Sequence, residues 1–146
     1  MDNNLSEDKR KHLEFIQGVI NRLSSNTFLF KGWSITLIGA VFTAMLTTGN
    51  YDLLWLAFGI IIMFWFIDAY YLALERLYRN LYSKVTKIKP NEIDFNMKTK
   101  KLTFSSWFSA FRRPILIMFY GVALIIVILF IVVSNFDINF IIKMKE

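Results

Sequence analysis

The 146-residue chain has no cysteine, a single histidine, two prolines and six glycines. Without cysteine there is no disulfide, no thiolate nucleophile and no Cys-based metal site, and the redox state of the compartment leaves no mark on the sequence. His12, the one histidine, has no second imidazole to share a metal and falls on an amphipathic stretch, where it is expected to be solvated. Of the clustered interfacial acids or histidines that lipid-modifying membrane enzymes need, only Asp68 and Glu75 qualify, so the sequence predicts no catalytic residue, no metal site and no cofactor, and a protein that is not an enzyme. The first thirty residues lack the short apolar core and small-residue cleavage site of a secretory signal, which predicts insertion through an uncleaved internal span. Internal repeats and low-complexity tracts are also missing.

What the chain has in quantity is apolar side chain: 55% of residues are hydrophobic and 17% aromatic, and mean hydropathy is +0.45. A soluble globule of this size rarely needs so much. Charge is segregated as well, with long uncharged runs separated by segments that hold almost all 17 Lys and Arg. That distribution indicates a bilayer rather than a water-soluble core.

The apolar positions Leu13, Ile16, Ile20 and Leu23 recur at spacings of three and four and predict an amphipathic helix over residues 1–26. Ser6, followed by Glu7 and Asp8, is the expected N-terminus, because a hydroxyl can cap free N–H groups and acids complement the helix dipole. Asn26 offers a break before the membrane, but one long helix, kinked near Ser24–Asn26, is expected. Trp33–Thr48 is uncharged but falls short of the roughly 20 residues that span a ~30 Å hydrocarbon core. Starting the span at Thr27 supplies the length and takes in Lys31, whose stem can lie in lipid while its ammonium reaches the headgroups. Thr47–Asp52 reads as a tight turn. A second span starts at Leu53, runs uncharged to Ile67, meets Asp68, and continues as a helix toward Val85, making residues 27–85 a transmembrane hairpin with an extension.

Residues 86–113 form a basic polar loop in which Trp107, Phe108 and Phe111 beside Arg112 and Arg113 suggest a short interfacial segment. Pro114 is tolerated in a first helical turn and opens a third span to Val133, about 30 Å at 1.5 Å per residue. Residues 114–146 thus comprise the third helix and a tail that extends it or rests on the membrane. The predicted class is an all-α membrane protein: N-terminal amphipathic helix, transmembrane helical hairpin, basic cytoplasmic loop, third transmembrane helix. Fifteen of the Lys and Arg precede the end of the first span or lie between the second and third, leaving Lys143 and Lys145 elsewhere. The positive-inside rule places the N-terminus and the middle loop in the cytoplasm.

Asp68 is the most informative residue, since a carboxylate at membrane depth usually has a partner. In an antiparallel hairpin centred near Asn50 and Tyr51, positions summing to about 101 share a depth, so Lys31 lies level with Tyr70 and within a turn of Asp68. A Lys31–Asp68 contact that sets the hairpin's rotation is expected; the alternative is a proton or cation site at Asp68. Beyond it, Asp68, Tyr71, Glu75, Tyr78 and Tyr82 make one stripe flanked by Arg76 and Arg79. That stripe is either a face for a partner or an anionic ligand, or a solvated helix with a Glu75–Arg79 pair. The cationic excess, including Lys98, Lys100 and Lys101, points to anionic lipid at the cytoplasmic face, at about 1 kcal/mol per charge near the surface, and not to nucleic acid. Gly39 with Thr43, and Ala40 with Ala44, are spaced for close helix approach, either within an oligomer or against Gly59 of the second span.

The stretches His12–Arg22 (HLEFIQGVINR), Phe28–Trp33 (FLFKGW), Asp68–Tyr82 (DAYYLALERLYRNLY) and Asp94–Met97 (DFNM) resemble a family of small bacterial multi-pass inner-membrane proteins with no assigned activity. The resemblance covers most of the chain and implies that location, no catalytic residues, and a pattern that includes Lys31, Gly32, Trp33, Asp68, Glu75 and Arg76. It also associates the chain with bacterial defence or stress. The combined expectation is an accessory or effector membrane component, either an oligomeric permeability element or an anchor for a cytoplasmic partner. A small transporter or ion-translocating subunit using Asp68 is the alternative.

Overall fold

A computed structural model describes the backbone of residues 2–143 and the side chains of residues 6–135. It is all-helical, 85% helix with no strand among the described residues. Four helices follow in order: α1 (Asp2–Thr48), α2 (Leu53–Lys87), α3 (Phe104–Phe111) and α4 (Pro114–Lys143), with one short 3₁₀ turn at Pro90–Glu92. Helix α1 runs unbroken through Ser24–Asn26 and begins at Asp2, four residues before the expected cap at Ser6. Helix α4 continues through most of the tail; residues 144–146 of that tail lie outside the described residues.

Three of the helices, α1, α2 and α4, are long and apolar enough to cross a membrane. Only 11%, 33% and 17% of the residues in their most apolar stretches are buried by the protein itself. The remainder, among them Trp33, Ile35, Leu46, Trp55, Met118 and Leu129, is exposed large hydrophobic side chain. A monomeric soluble protein does not leave that much contiguous apolar surface bare, whereas hydrocarbon accepts it.

The chain divides into two compact units, the first made of Met1–Leu29 with Ala69–Ala110 and the second of Phe30–Asp68 with Phe111–Glu146. In the second unit, α2 buries Leu54, Ala57, Ile61, Phe64 and Asp68, a 3-4-3-4 spacing that keeps all five on one face. Helix α4 buries Leu116, Tyr120, Val127 and Ser134, and α1 buries Ser34 and Met45. Phe42 and Phe130 meet edge to face at 5.2 Å. The turn between α1 and α2 works as its residues require. Gly49 has φ +68 and donates its N–H to the Met45 carbonyl at 2.9 Å, a left-handed helix end that glycine enters without steric cost. The Asn50 side chain then accepts from the Asp52 N–H at 3.0 Å, closing the turn.

The first unit has its own small core of Ile16, Ile20 and Val85, with Leu13, Tyr78, Leu81, Tyr82, Ile93 and Met97 packed around it. Lys9 adds a polar fastening, since its Nζ donates to the carbonyls of Thr86 at 3.0 Å and Ile88 at 2.6 Å. These are unpaired acceptors at and just beyond the α2 C-terminus, where the dipole favours a cation. Residues 93–103 are not helical. Side chains of Asp94 and Asn96 each accept from a backbone N–H two residues on, at 3.1 and 2.9 Å, which holds this segment in turns while Ile93 and Met97 reach the core.

Candidate functional site

The second unit concentrates its polar side chains at one place. Asp68 terminates the buried face of α2 and is 0% exposed. The Lys31 ammonium of α1 contacts its Oδ2 as an ion pair, and the Tyr120 hydroxyl of α4 donates to the same oxygen at 3.1 Å. Ser34, one turn beyond Lys31, is buried and donates to the Lys31 carbonyl at 2.8 Å. Lys31 Nζ also lies 5.9 Å from the centre of the Phe119 ring, a favourable distance for a cation over an aromatic face.

Aromatic packing walls this cluster. Trp65, one turn before Asp68, stacks on Phe111 at 4.4 Å and on Tyr120 at 6.0 Å, each with 15° between ring planes. Its Nε1–H donates to the Phe111 carbonyl at 3.2 Å, so the indole buries its one donor with a partner. Three helices therefore meet at a single carboxylate oxygen. The other oxygen, Asp68 Oδ1, is buried with no hydrogen-bond partner. A buried ion pair repays its desolvation only when the remaining lone pairs are satisfied, which makes Oδ1 the one chemically open atom of the cluster.

Residue spacing across the turn brings Lys31 and Asp68 to one level of the hairpin, and the structure places them in contact. Tyr120 and Ser34 were not reached by that spacing. A usable signal existed for Tyr120, the only hydrogen-bonding side chain among Pro114–Val133, because a lone hydroxyl in an otherwise apolar span seeks a partner.

The tyrosine stripe of α2 is less open than its spacing suggests. Tyr78 and Tyr82 pack on the core of the first unit. Glu75 is buried and accepts from Arg79 Nε at 2.7 Å. Arg76 Nη1 donates to Ser109 Oγ of α3 at 3.3 Å, and Tyr71 meets Tyr70 edge to face at 5.7 Å. The amphipathic half of α1 covers part of the stripe, so it is not a continuous solvated face. His12 is a clear correction: it is 5% exposed rather than solvated, because the Phe95 ring packs edge-on against it at 5.6 Å. Lys98, Lys100 and Lys101 are exposed along the segment before α3.

The small residues also differ from the intramolecular reading. A Cβ built on Gly39 or on Gly59 would meet nothing within 4 Å, so neither glycine is used for contact inside the chain. Gly32, Thr36, Gly39, Thr43 and Thr47 form one exposed stripe of α1 at spacings of 4, 3, 4 and 4. The three hydroxyls bond back to carbonyls of their own helix at 3.0, 2.9 and 3.0 Å, which satisfies them in hydrocarbon. Among the described residues no group of three or more His, Asp or Glu is arranged to hold a metal ion. No protein-family model, curated protein or solved structure matches the chain.

Proposed function

We propose that the protein is a membrane-embedded accessory or effector component of the bacterial inner membrane that works as an assembly of like chains, altering permeability or anchoring a cytoplasmic partner. In this reading the N-terminus and residues 86–113 face the cytoplasm, as the cationic excess there favours, and anionic lipid contacts the lysines of that segment. The observation that carries it is the exposed stripe Gly32–Thr36–Gly39–Thr43–Thr47, a surface of small and self-satisfied residues on which a second backbone can approach closely. Packing of that kind is what drives helix association in lipid, where apolar contact alone gives no advantage over acyl chains. The Lys31–Asp68–Tyr120 cluster supports it by holding the stripe in one orientation.

The cysteine-free chain makes the test direct. Thr43→Cys in native membranes is expected to form a disulfide-linked dimer on mild oxidation, while Ile125→Cys on the exposed side of α4 stays monomeric. Equal crosslinking at both positions, or none at Thr43, refutes the assembly. Dissipation of the membrane potential on overexpression separates the permeability version from the anchor version.

A second reading is an ion-translocating or transport subunit that uses Asp68. Its support is the buried, unpartnered Oδ1, an atom at which a proton or cation can be exchanged. Asp68→Asn would then abolish a flux that Thr43→Cys leaves intact.

A further inference from the structure

We infer that the first unit carries a binding groove for a small amphipathic anion, with a planar apolar body about 12 Å long, a polar group at one end and an acidic group at the other. The groove has a volume of about 730 Å³ and lies between one face of α1 and the segment that holds Phe95 and Met97. Its α1 wall contains His12, Phe15, Val19 and Arg22, at spacings of 3, 4 and 3, which places them on one side of the helix.

Two observations independent of the cavity point to a ligand. His12 is more than nine-tenths buried, yet its Nε2 has no hydrogen-bond partner, which is unusual for a buried polar atom. Phe95, whose ring packs edge-on against the imidazole, has φ 51, a left-handed conformation that bulky residues adopt only where the surroundings hold them in it. The Phe95 ring is nonetheless 46% exposed. Because Phe95 is half exposed, rotation about its side-chain bonds is sterically open, and that rotation uncovers the His12 imidazole to the groove.

Shape and charge set the ligand class. Phe15 is 70% exposed, and Gly18 has open space above it, so between His12 and Arg22 a planar body can lie over the Phe15 ring and Val19 without displacing a side chain at Gly18. Of the lining charges, Lys11 pairs with Glu7 at 3.2 Å and Glu14 with Arg10 at 3.9 Å. Arg22 has no ion-pair partner among the described residues. Asp8, the other lining carboxylate, is at the opposite end, about 21 Å away along the helix axis. An acidic group therefore seats at the Arg22 end. Ten residues separate His12 from Arg22, about 15 Å of rise, and the arginine side chain leans back toward the helix N-terminus, which leaves about 12 Å for the ligand.

Because His12 is the only histidine, its ring signals in an NMR spectrum of the detergent-solubilised full chain report this site alone. The probe is 4′-hydroxybiphenyl-4-carboxylate. It is expected to shift the His12 ring resonances saturably, with at least tenfold weaker affinity for the 4-carboxamide analogue and for the Arg22→Gln chain, and weaker affinity for the analogue without the hydroxyl. Arg22 is exposed, so that variant folds whether or not the proposal is right. No shift with the carboxylate overturns the site. Equal affinity for the carboxamide overturns the anion assignment, and stronger binding of laurate than of the biphenyl overturns the planar body in favour of a lipid acyl chain.

Discussion

The meeting of Lys31, Tyr120 and Asp68 makes an asymmetric forecast. Lys31→Met leaves the fully buried Asp68 carboxylate with one neutral donor, Tyr120, and breaking a buried pair from the side of its partner costs about 3–5 kcal/mol. Asp68→Leu strands the cation instead. The Lys31 side chain is 20% exposed where that of Asp68 is 0% exposed, so its flexible stem can carry the ammonium toward the headgroups. What is left is the lost pairing and an unsatisfied Tyr120 hydroxyl, about 1–2 kcal/mol. The double change Lys31→Met with Asp68→Leu removes both charges and should lie within about 1 kcal/mol of the parent, giving a coupling of at least about 3 kcal/mol. Tyr120→Phe should cost about 1.5–3 kcal/mol, as expected for a hydrogen bond to a charged group. Reversible unfolding by SDS in mixed micelles, followed through the tryptophan fluorescence to which Trp65 contributes, measures all four chains. Losses that simply add, or an Asp68→Leu chain less stable than Lys31→Met, would refute the reasoning.

Three further outcomes follow from the fold. Gly49→Ala places a Cβ at φ +68 and should lower stability by about 1 kcal/mol in the same unfolding assay, where Asn50→Ala should cost less. Lys9→Met removes the two donations at the α2 C-terminus, and hydrogen exchange in residues 84–88 should accelerate while exchange around Asp68 is unchanged. Ile16→Ala empties the centre of the first unit's core at a cost of about 2–4 kcal/mol, read as loss of protection in α1 residues 12–20 and in Val85.

Particular residues show how far the sequence reaches. Lys31 and Asp68 were legible as neighbours because a tight turn at Gly49–Asp52 converts residue number into depth, and two charges at one depth in lipid have few other partners. Tyr120 was not reached by the same arithmetic, since the connection from α2 to α4 is long and leaves depth and rotation of the third helix free. His12 illustrates the opposite failure. Helical periodicity describes α1 correctly, but whether a polar residue on it meets water depends on residues 93–97, whose path is held by the Asp94 and Asn96 side chains and by a left-handed Phe95. The glycines taught a similar lesson, for spacing shows that Gly39 permits close approach and says nothing of whether another helix in the chain takes it.

The sequence by itself determined the helical class, the three apolar stretches and the segregation of charge between them, because these depend on local periodicity and on the length of chain that crosses hydrocarbon. Only the tertiary structure decided which side chains face one another: that Tyr120 joins Lys31 on one oxygen of Asp68, that Phe95 packs against His12, and that the stripe from Gly32 to Thr47 stays uncovered. Those outcomes rest on the rotation of each helix about its axis, a quantity set by packing between segments distant in the chain and by no short-range pattern within any of them.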